Sequence, residues 1–313
     1  MPQIVLTGTS GKLGGAVLQA ISEYNLVPPN ELVISTSSDP NDAKWDFLKE
    51  RGVTVRYASY EDQASMEKAF AGCDKLLLVS SPQITMDFNN PEYGSGREKH
   101  HIAAVHAARA AGISHIYYTS LGFTNRSKAG VMKAHNRTEE FLTMLSDTQW
   151  TVIREGLYNE SWPLYFGHYD PSSDTRRDIV VAGDGYISFA AIADLGLATA
   201  MILVDTSTRW CGMTPTLATT EATTLRQIAR TVSEVKRYPV NVRIVTRPQY
   251  ERYYIRERGM DEAFIKWWAT TYDAVREGEC AHRNPASKVL ENLLAERGRT
   301  PIPIDQTIRE MLS

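Results

Sequence analysis

The sequence predicts an α/β protein in which a doubly wound parallel sheet is followed by a smaller C-terminal lobe. Three observations lead to this prediction. A glycine-rich turn follows the first apolar strand, strands then alternate with helical patterns up to residue 154, and the alternation stops there. Alternating strands and helices are typical of parallel sheets with helices on both faces. We therefore predict one domain over residues 1–155 and a smaller lobe over residues 156–313, partly interleaved with the first.

The composition is that of an ordinary globular enzyme. Of the 313 residues, 42% are hydrophobic and 23% are charged, and a net charge of −3 gives no reason to expect nucleic acid or an anionic membrane as a partner. No apolar run approaches the roughly 18 residues of a membrane helix, and no charged leader precedes the first strand. Cys73, Cys211 and Cys280 are odd in number and lack metal-ligand spacing. We expect a cytoplasmic protein without a metal ion.

The glycine-rich turn carries the strongest functional signal. An apolar strand, residues 3–6, precedes the segment Thr-Gly-Thr-Ser-Gly-Lys-Leu-Gly, and a helical pattern follows it. In this strand–turn–helix context, Gly8 allows a tight turn, Gly11 lets the backbone approach a pyrophosphate, and Gly14 lets the helix pack against the strand. The free N–H groups of the helix start then face the phosphates. We predict dinucleotide binding in a Rossmann fold; the alternative is a structural turn in another doubly wound protein.

The end of the second strand bears on the choice between NAD and NADP. NAD-specific folds carry an acidic residue about 20 residues past the glycines, where it binds the ribose 2′-hydroxyl. Here the second strand, residues 31–35, leads into the hydroxyl residues Thr36, Ser37 and Ser38. Hydroxyl groups can bond a 2′-phosphate that a carboxylate would repel, and Lys12 could add a positive charge. This favours NADP, whereas the same segment read as a turn and helix cap is compatible with either cofactor.

The remaining strands and helices of the first domain follow in alternation. The strongest features after the second strand are helices near residues 42–50, 63–72, 97–111 and 131–145, and strands at 53–57, 74–80, 114–120 and 150–154. Ser80, Ser81 and Pro82 lie at the carboxyl end of the fourth strand, the edge that lines the ligand crevice in such sheets. The helix at 97–111 carries His100, His101 and His106, which we interpret as surface residues because adjacent helical positions diverge by about 100°.

Beyond Arg154 the pattern becomes irregular and aromatic. We expect a turn at 182–185, a helix at 195–203 capped by Asp194, a strand near 210–217, and a helix at 224–234. Trp267 and Trp268 belong to a late helical segment and are interpreted as core residues of the lobe.

The sequence contains only some of the catalytic residues that classical short-chain dehydrogenases use. Classical short-chain dehydrogenases use a serine with a Tyr-x-x-x-Lys step, in which the lysine lowers the tyrosine pKa. This step is absent from the chain. Ser120 lies where the serine belongs, but Tyr117 and Tyr118 come too early and should point into the packed sheet. The next helix offers Lys133 and His135 instead.

Several segments together carry a family resemblance. They are TGTSGKLG, YTSLGF, TVIREGLYNESW, AGDGYISFAAIADLG and the late GRTP. These resemble the NmrA-like branch of the atypical short-chain dehydrogenases, which includes bacterial NADPH-dependent zinc-free quinone oxidoreductases and fungal biosynthetic reductases. The resemblance implies the following positions around the cofactor. Gly8, Thr9, Ser10, Gly11, Lys12, Leu13 and Gly14 hold the pyrophosphate, Thr36, Ser37 and Ser38 meet the adenosine ribose, Ser80, Ser81 and Pro82 flank the nicotinamide ribose, and Ser120, Leu121, His135 and Tyr158 lie near the nicotinamide.

We therefore predict an NADPH-dependent reductase that transfers hydride to a quinone, iminium or activated carbonyl, in fungal secondary metabolism. His135 is the first candidate for the proton donor because an imidazole titrates near neutral pH, and Tyr158 is the second. An orienting role for His135 is an equal alternative. Two other functions stay open: a non-catalytic NADP-sensing regulator of the NmrA type, and a non-redox biosynthetic enzyme that retains NADP. The expected partner is a small-molecule substrate, and the expected assembly is a monomer or homodimer.

Overall fold

A seven-stranded parallel sheet forms the centre of the molecule. The computed structural model describes residues 3–284 and 287–313. The strands of the sheet lie in the order β10-β6-β5-β4-β1-β2-β3, and every neighbouring pair is parallel. Their bounds are β1 Ile4–Leu6, β2 Leu32–Thr36, β3 Thr54–Tyr57, β4 Lys75–Leu78, β5 His115–Leu121, β6 Gln149–Glu155 and β10 Thr216–Leu217. The chain winds from β1 outward in both directions, so the predicted doubly wound sheet is confirmed.

Helices cover both faces of the sheet because its strands are apolar on both sides. Val5 faces one helical layer while Ile4 and Leu6 face the other, as the two-residue period of a strand requires. One layer contains α1 (Lys12–Glu23), α7 (Ile192–Val204) and α11 (Val289–Ala295). The opposite layer contains α3 (Gln63–Phe70), α4 (Glu98–Ala110) and α5 (Met132–Thr143), while the short α2 (Asp46–Lys49) lies between β2 and β3.

A separate apolar cluster forms the C-terminal lobe. It is rich in aromatic side chains and includes Trp162, Phe166, Tyr250 and Tyr272, all less than 2% exposed. Trp267 and Trp268 are buried in it as predicted. Its elements are β7 Leu157–Tyr158 paired with β9 Phe189–Ala190, β8 Asp178–Val181 paired with β11 Asn241–Ile244, and the helices α6 Trp162–Tyr165, α8 Leu225–Lys236, α9 Arg247–Arg252, α10 Glu262–Arg276 and α12 Ile304–Leu312.

After the first elements of the lobe, the chain returns to the main sheet and adds the strand β10. The sequence gives only a weak signal for this return. The strand predicted at 210–217 is reduced to the two residues of β10, and these extend the main sheet beside β6. The helix α7 packs on α1 so closely that a Cβ on Gly196 would lie 2.6 Å from the Cβ of Ala16. The boundary at residue 155 stays a prediction.

Asp194 does not cap α7, and that prediction was wrong. The helix begins one turn earlier with Ala191 as its N-cap. The buried Asp194 carboxylate accepts instead the backbone N–H of Ile302 at 2.7 Å and the Arg299 guanidinium at 3.4 Å. It therefore ties the C-terminal segment to the helical layer.

Candidate functional site

A cleft opens at the carboxyl edge of the sheet, where the strand order reverses between β1 and β4. In doubly wound sheets this is the point at which ligands bind. The cleft has a volume of about 640 Å³. The predicted residues that line it are Gly8, Thr9, Ser10, Gly11, Lys12, Leu13, Gly14, Thr36, Ser37, Ser80, Ser81, Pro82 and Tyr158. Five others do not line it: Ser38, Ser120, Leu121, Lys133 and His135.

The glycine loop forms one wall of the cleft and is shaped by close backbone contacts. Gly8 has a φ of +66°, which favours glycine, and its carbonyl accepts the N–H of Gly11 at 2.9 Å, which closes the turn. A Cβ on Gly14 would lie 2.3 Å from the Gly8 oxygen. Helix α1 then starts at Lys12 without a side-chain cap. The N–H groups of its first turn are therefore available to an anion.

A buried hydroxyl in this wall fits a ligand from outside the chain. Thr9 is 7% exposed, and its Oγ1 is buried without a hydrogen-bond partner in the described residues. An unpaired buried hydroxyl costs about 1–3 kcal/mol. A phosphate held by the loop would supply the missing acceptor. The residues present therefore fit a dinucleotide pyrophosphate.

The hydroxyl groups at the end of β2 divide into two kinds. Thr36 and Ser38 bond each other, with 2.9 Å between Oγ1 and Oγ. Ser37 is exposed and lines the cleft, as does the exposed Lys12, which has no carboxylate partner within the described ranges. Ser37 and Lys12 are thus the groups free to meet an anion here.

The floor of the cleft is held by side chains from beneath. The N–H of Ser81 donates to His101 Nε2 at 2.9 Å, and its Oγ lies 3.0 Å from His100 Nδ1. Arg97 donates to the Ser81 carbonyl at 3.1 Å and forms a buried ion pair with Asp87 at 2.6 Å. The Ser81 backbone is therefore fixed on both sides. We call the hydrogen-bonded set that starts at Ser81 and continues behind the floor the histidine network; it comprises Ser81, His100, His101, Tyr118, His135 and Thr138.

Two of the three histidines of α4 are buried, which corrects the sequence interpretation. His100 is 3% exposed and His101 is fully buried, whereas His106 is exposed as predicted. Each buried ring has polar partners on both nitrogens: His100 bonds Ser81 and Glu61, and His101 bonds Ser81 and Thr138. Such partners offset the free-energy cost of burying a polar ring. They come from distant elements, so helix periodicity does not reveal them.

Three of the predicted residues lie beside the cleft, each with its own partner. Ser120 is buried and donates to Glu139 at 2.5 Å, and Glu139 is ion-paired with Arg154. Lys133 donates to the Pro91 carbonyl at 3.0 Å and to Asn90, and it lines a neighbouring depression. Leu121 packs against the aromatic cluster of the lobe.

His135 and Tyr158 differ in their access to the cleft. His135 is 1% exposed and bonds Tyr118, with 2.8 Å between Nδ1 and Oη. Burial, followed by the charges of Arg97 and His101, holds the pKa of His135 well below its usual range, so the ring is neutral near pH 7. Tyr158 lines the cleft, and burial together with Glu155 and Glu160 raises the pKa of its phenol. Tyr158 therefore keeps its proton.

A glycine turn at a helix start, at the reversal point of a doubly wound sheet, defines a nucleotide-binding α/β protein. Residues 8–199 match the NAD(P)H-binding family, and the chain belongs to this family. Its relatives include the NmrA-like family domain-containing oxidoreductase flvB of Aspergillus flavus, 27% identical over 98% of this chain and 94% of the relative. Quinone oxidoreductase 2 of Escherichia coli is 33% identical over 226 residues, or 72% of each protein.

Solved structures agree over nearly the whole chain. The triphenylmethane reductase of Citrobacter sp., complexed with NADP(H), has a TM-score of 0.78 at 28% identity and covers 99% of this chain and 100% of its own. The quinone oxidoreductase of Escherichia coli complexed with NADPH has a TM-score of 0.79 at 26% identity, with the same coverage. The predicted family, the fold and the class of an NAD(P)H-dependent oxidoreductase are thereby confirmed. The roles of individual site residues stay predictions.

Within residues 3–284 and 287–313, no group of three or more His, Cys, Asp or Glu side chains is arranged to hold a metal ion. In the same ranges, no helix has both the length and the apolar character needed to cross a bilayer.

Proposed function

We propose that this protein is an NADPH-dependent reductase that delivers hydride to an electrophilic small molecule such as a quinone, an iminium or an activated carbonyl. The observation that carries the proposal is the cleft itself, because it combines the glycine loop, the unpaired Thr9 hydroxyl and the phenol of Tyr158. The resemblance to fungal biosynthetic reductases extends the proposal to an acceptor from secondary metabolism.

The proposed preference for NADPH rests on a charged group at the start of α1 and a hydroxyl group at the end of β2, which line the same cleft. Lys12 and Ser37 line the cleft and are exposed, and the nearby Asp39 carboxylate is engaged with the N–H of Asn41 at 2.8 Å. A cation and a hydroxyl suit a 2′-phosphate, whereas they give a 2′-hydroxyl little advantage. The two reductases of similar structure are complexed with NADP(H) and NADPH.

In the proposed mechanism the bound nicotinamide supplies the hydride, and the protein supplies position and hydrogen bonds. The glycine loop and the first turn of α1 bind the pyrophosphate. Arg97 and His101 hold the backbone of Ser81 in place by hydrogen bonds, and Ser81 would help to hold the nicotinamide ribose. Tyr158 donates a hydrogen bond to the acceptor as charge develops on it. An acceptor that needs little acid assistance suits a cleft without a Tyr-x-x-x-Lys step.

The first experiment is a titration of the protein with NADPH and NADH, followed by quenching of tryptophan fluorescence. Tight NADPH binding, followed by loss of absorbance at the reduced nicotinamide band when a simple quinone is added, supports the proposal. Binding of neither nucleotide would refute it.

The variant Lys12→Gln tests the cofactor preference. We expect about tenfold weaker NADPH binding and little change for NADH, since a charge-assisted contact to the 2′-phosphate is worth about 1.5 kcal/mol. Lys68→Gln, at an exposed position of α3 outside the cleft, is the matched control. Equal losses for both nucleotides would remove Lys12 from the 2′-phosphate site.

A second candidate function is a dinucleotide-sensing regulator of the NmrA type. The observation that favours it is the burial of His135, which leaves Tyr158 as the one predicted proton donor among the described residues lining the cleft. Tight NADPH binding without oxidation by quinones, iminium compounds or activated carbonyls would select this function over the reductase.

A further inference from the structure

The histidine network has an order that fixes where its protons are. Its fixed point is the backbone N–H of Ser81, which donates to His101 Nε2 at 2.9 Å. An amide N–H is always a donor, so Nε2 of His101 carries no proton. Burial, together with the charges of Arg97 and His100, holds the pKa of His101 well below its usual range, and the ring is neutral. Its single proton is therefore on Nδ1.

The proton on His101 Nδ1 determines the direction of the hydrogen bond between Tyr118 and His135. His101 Nδ1–H faces two hydroxyls, Thr138 Oγ1 at 2.8 Å and Tyr118 Oη at 3.2 Å. Because Nδ1 is a donor, the Tyr118 hydroxyl cannot donate to it, and the described residues place one other ring nitrogen within hydrogen-bond distance of that hydroxyl. That nitrogen is Nδ1 of His135 at 2.8 Å. Tyr118 keeps its proton, since burial raises the pKa of its phenol. Tyr118 therefore donates to His135.

We propose that Tyr118 is a positioning residue that holds His135 as a neutral imidazole with its proton on Nε2. His135 is then a hydrogen-bond donor of fixed direction and not a titrating acid. The assignment of the proton is independent of activity, whereas the consequence for turnover rests on the proposed reductase function.

The proton position on His135 matters for the cleft because this ring lies close to the contact that Arg97, a lining residue, makes with α5. Arg97 lines the cleft and donates to the carbonyl of Val131 at 3.2 Å. Val131 and His135 are four residues apart, so they lie one above the other on the same face of α5. The imidazole is thus one helical turn below the Arg97 contact. Its Nε2–H is the ring donor that the network leaves for a group outside it.

The network does not conduct protons to solvent. His100 bonds the exposed carboxylate of Glu61 at 2.9 Å and the Oγ of Ser81 at 3.0 Å, so this branch reaches the surface. The other branch begins at the N–H of the same serine, and a backbone amide cannot pass a proton along. The two branches share a residue but no proton that could be relayed from one to the other. The charged or titratable groups around His135 are Arg97, His101 and Tyr118, together with Glu139 one helical turn further along α5. The Glu139 carboxylate is engaged by Ser120 and Arg154.

The test is nitrogen-15 NMR of the histidine side chains, which distinguishes the two neutral forms from the imidazolium. With seven histidines in the chain, His135→Gln assigns the relevant signals by their loss. We expect wild-type His135 to be protonated on Nε2 alone and to show no titration between about pH 6 and 8. A Nδ1-protonated ring or an imidazolium in this range would overturn the proposal.

The variant Tyr118→Phe tests the donor, and Tyr117→Phe is its matched control. Tyr117 is the preceding residue on the same strand, it faces the opposite layer, and it is also buried. In Tyr118→Phe we expect the Nδ1-protonated form of His135 to appear beside the Nε2 form, whereas Tyr117→Phe should leave the signals unchanged. An unchanged His135 spectrum in Tyr118→Phe, with a backbone amide spectrum that confirms a native fold, would contradict the positioning role.

Kinetics separate this proposal from the proposed function. In a quinone assay Tyr118→Phe should lower kcat about five- to tenfold, which corresponds to one misdirected hydrogen bond, with KM for NADPH unchanged. A wild-type protein that turns over no acceptor, yet has the Nε2-protonated His135, would refute the reductase function and leave the assignment intact. A Tyr118→Phe enzyme of full kcat with an altered tautomer would remove His135 from the reaction.

Discussion

The glycine loop and the histidine network border the same cleft, but they are built in opposite ways. The loop is eight consecutive residues in which backbone approaches backbone, as the 2.3 Å between a Cβ at Gly14 and the Gly8 oxygen illustrates. The network consists of side chains from the end of β4, from α4, from β5 and from α5, joined by hydrogen bonds. The wall of the cleft thus has no space for a larger side chain at Gly14, whereas its floor depends on every side chain keeping its hydrogen-bond partner. Substitutions should separate these two requirements.

The largest loss of stability is expected when the buried ion pair at the floor loses its carboxylate. Asp87→Ala leaves the Arg97 guanidinium, 4% exposed, without its carboxylate. Breaking a buried pair in this way costs about 3–5 kcal/mol of unfolding free energy. Asp147→Ala removes the carboxylate of the exposed Arg109–Asp147 pair and should cost no more than about 1 kcal/mol. Urea unfolding of both variants measures the difference, and equal losses would mean that the floor does not depend on the buried pair.

Gly14→Ala tests the wall. The added methyl would lie 2.3 Å from a backbone oxygen that cannot rotate away, so we expect a loss of about 3 kcal/mol in stability and no measurable NADPH binding. Gly15→Ala places its methyl 3.2 Å from the Thr9 oxygen. Its gain in helix propensity of about 1 kcal/mol should nearly offset that contact. If both alanine variants bind NADPH equally, the close approach at Gly14 is not what shapes the loop.

Glu155 supplies a pH-dependent test at the same edge of the sheet. This carboxyl is fully buried, and burial raises its pKa to about 8, a shift that the hydrogen bond from Thr199 reduces. At low pH both the folded and the unfolded chain hold the proton. Between the ordinary glutamate pKa and about 8 only the unfolded chain releases it, so stability falls as pH rises through this window.

The variant Glu155→Gln should remove this loss. Its free energy of unfolding relative to wild type should increase by up to about 1.4 kcal/mol per pH unit between roughly pH 4.5 and 8. Glu140→Gln, at an exposed position of α5, should show a constant difference over the same range. Parallel pH curves for wild type and Glu155→Gln would show that the carboxyl titrates normally.

The smallest effects, of opposite sign, are expected at two threonines of the wall. Thr7 donates to the Leu77 carbonyl at 3.1 Å and accepts the N–H of Val79 at 2.8 Å, so Thr7→Val should cost about 1–2 kcal/mol. Thr9→Val removes an unpaired hydroxyl and should leave stability unchanged or raise it by up to about 1 kcal/mol. Its NADPH affinity should nevertheless fall several-fold. A destabilised Thr9→Val protein would mean that the hydroxyl has a partner within the chain.

Contiguity explains how much of this molecule could be predicted from its sequence. The glycine loop was predictable because strand, turn and helix start are adjacent in the chain. The burial of His101 was not, since its partners Ser81 and Thr138 lie 20 and 37 residues away and only the fold brings them together. The prediction that Asp194 caps a helix was wrong for the same reason, because the N–H of the distant Ile302 binds its carboxylate. The two residues of β10 are too few to show a strand period.

The position of β10 also has a consequence for how the chain is made. When a ribosome has released β6, the outer edge of that strand has no partner, because its neighbour is supplied by Thr216 and Leu217. At about 5–20 residues per second, the intervening segment takes several seconds to emerge. During that interval an open strand edge is exposed to other nascent chains. The return of the polypeptide from the lobe thus completes the sheet late in synthesis.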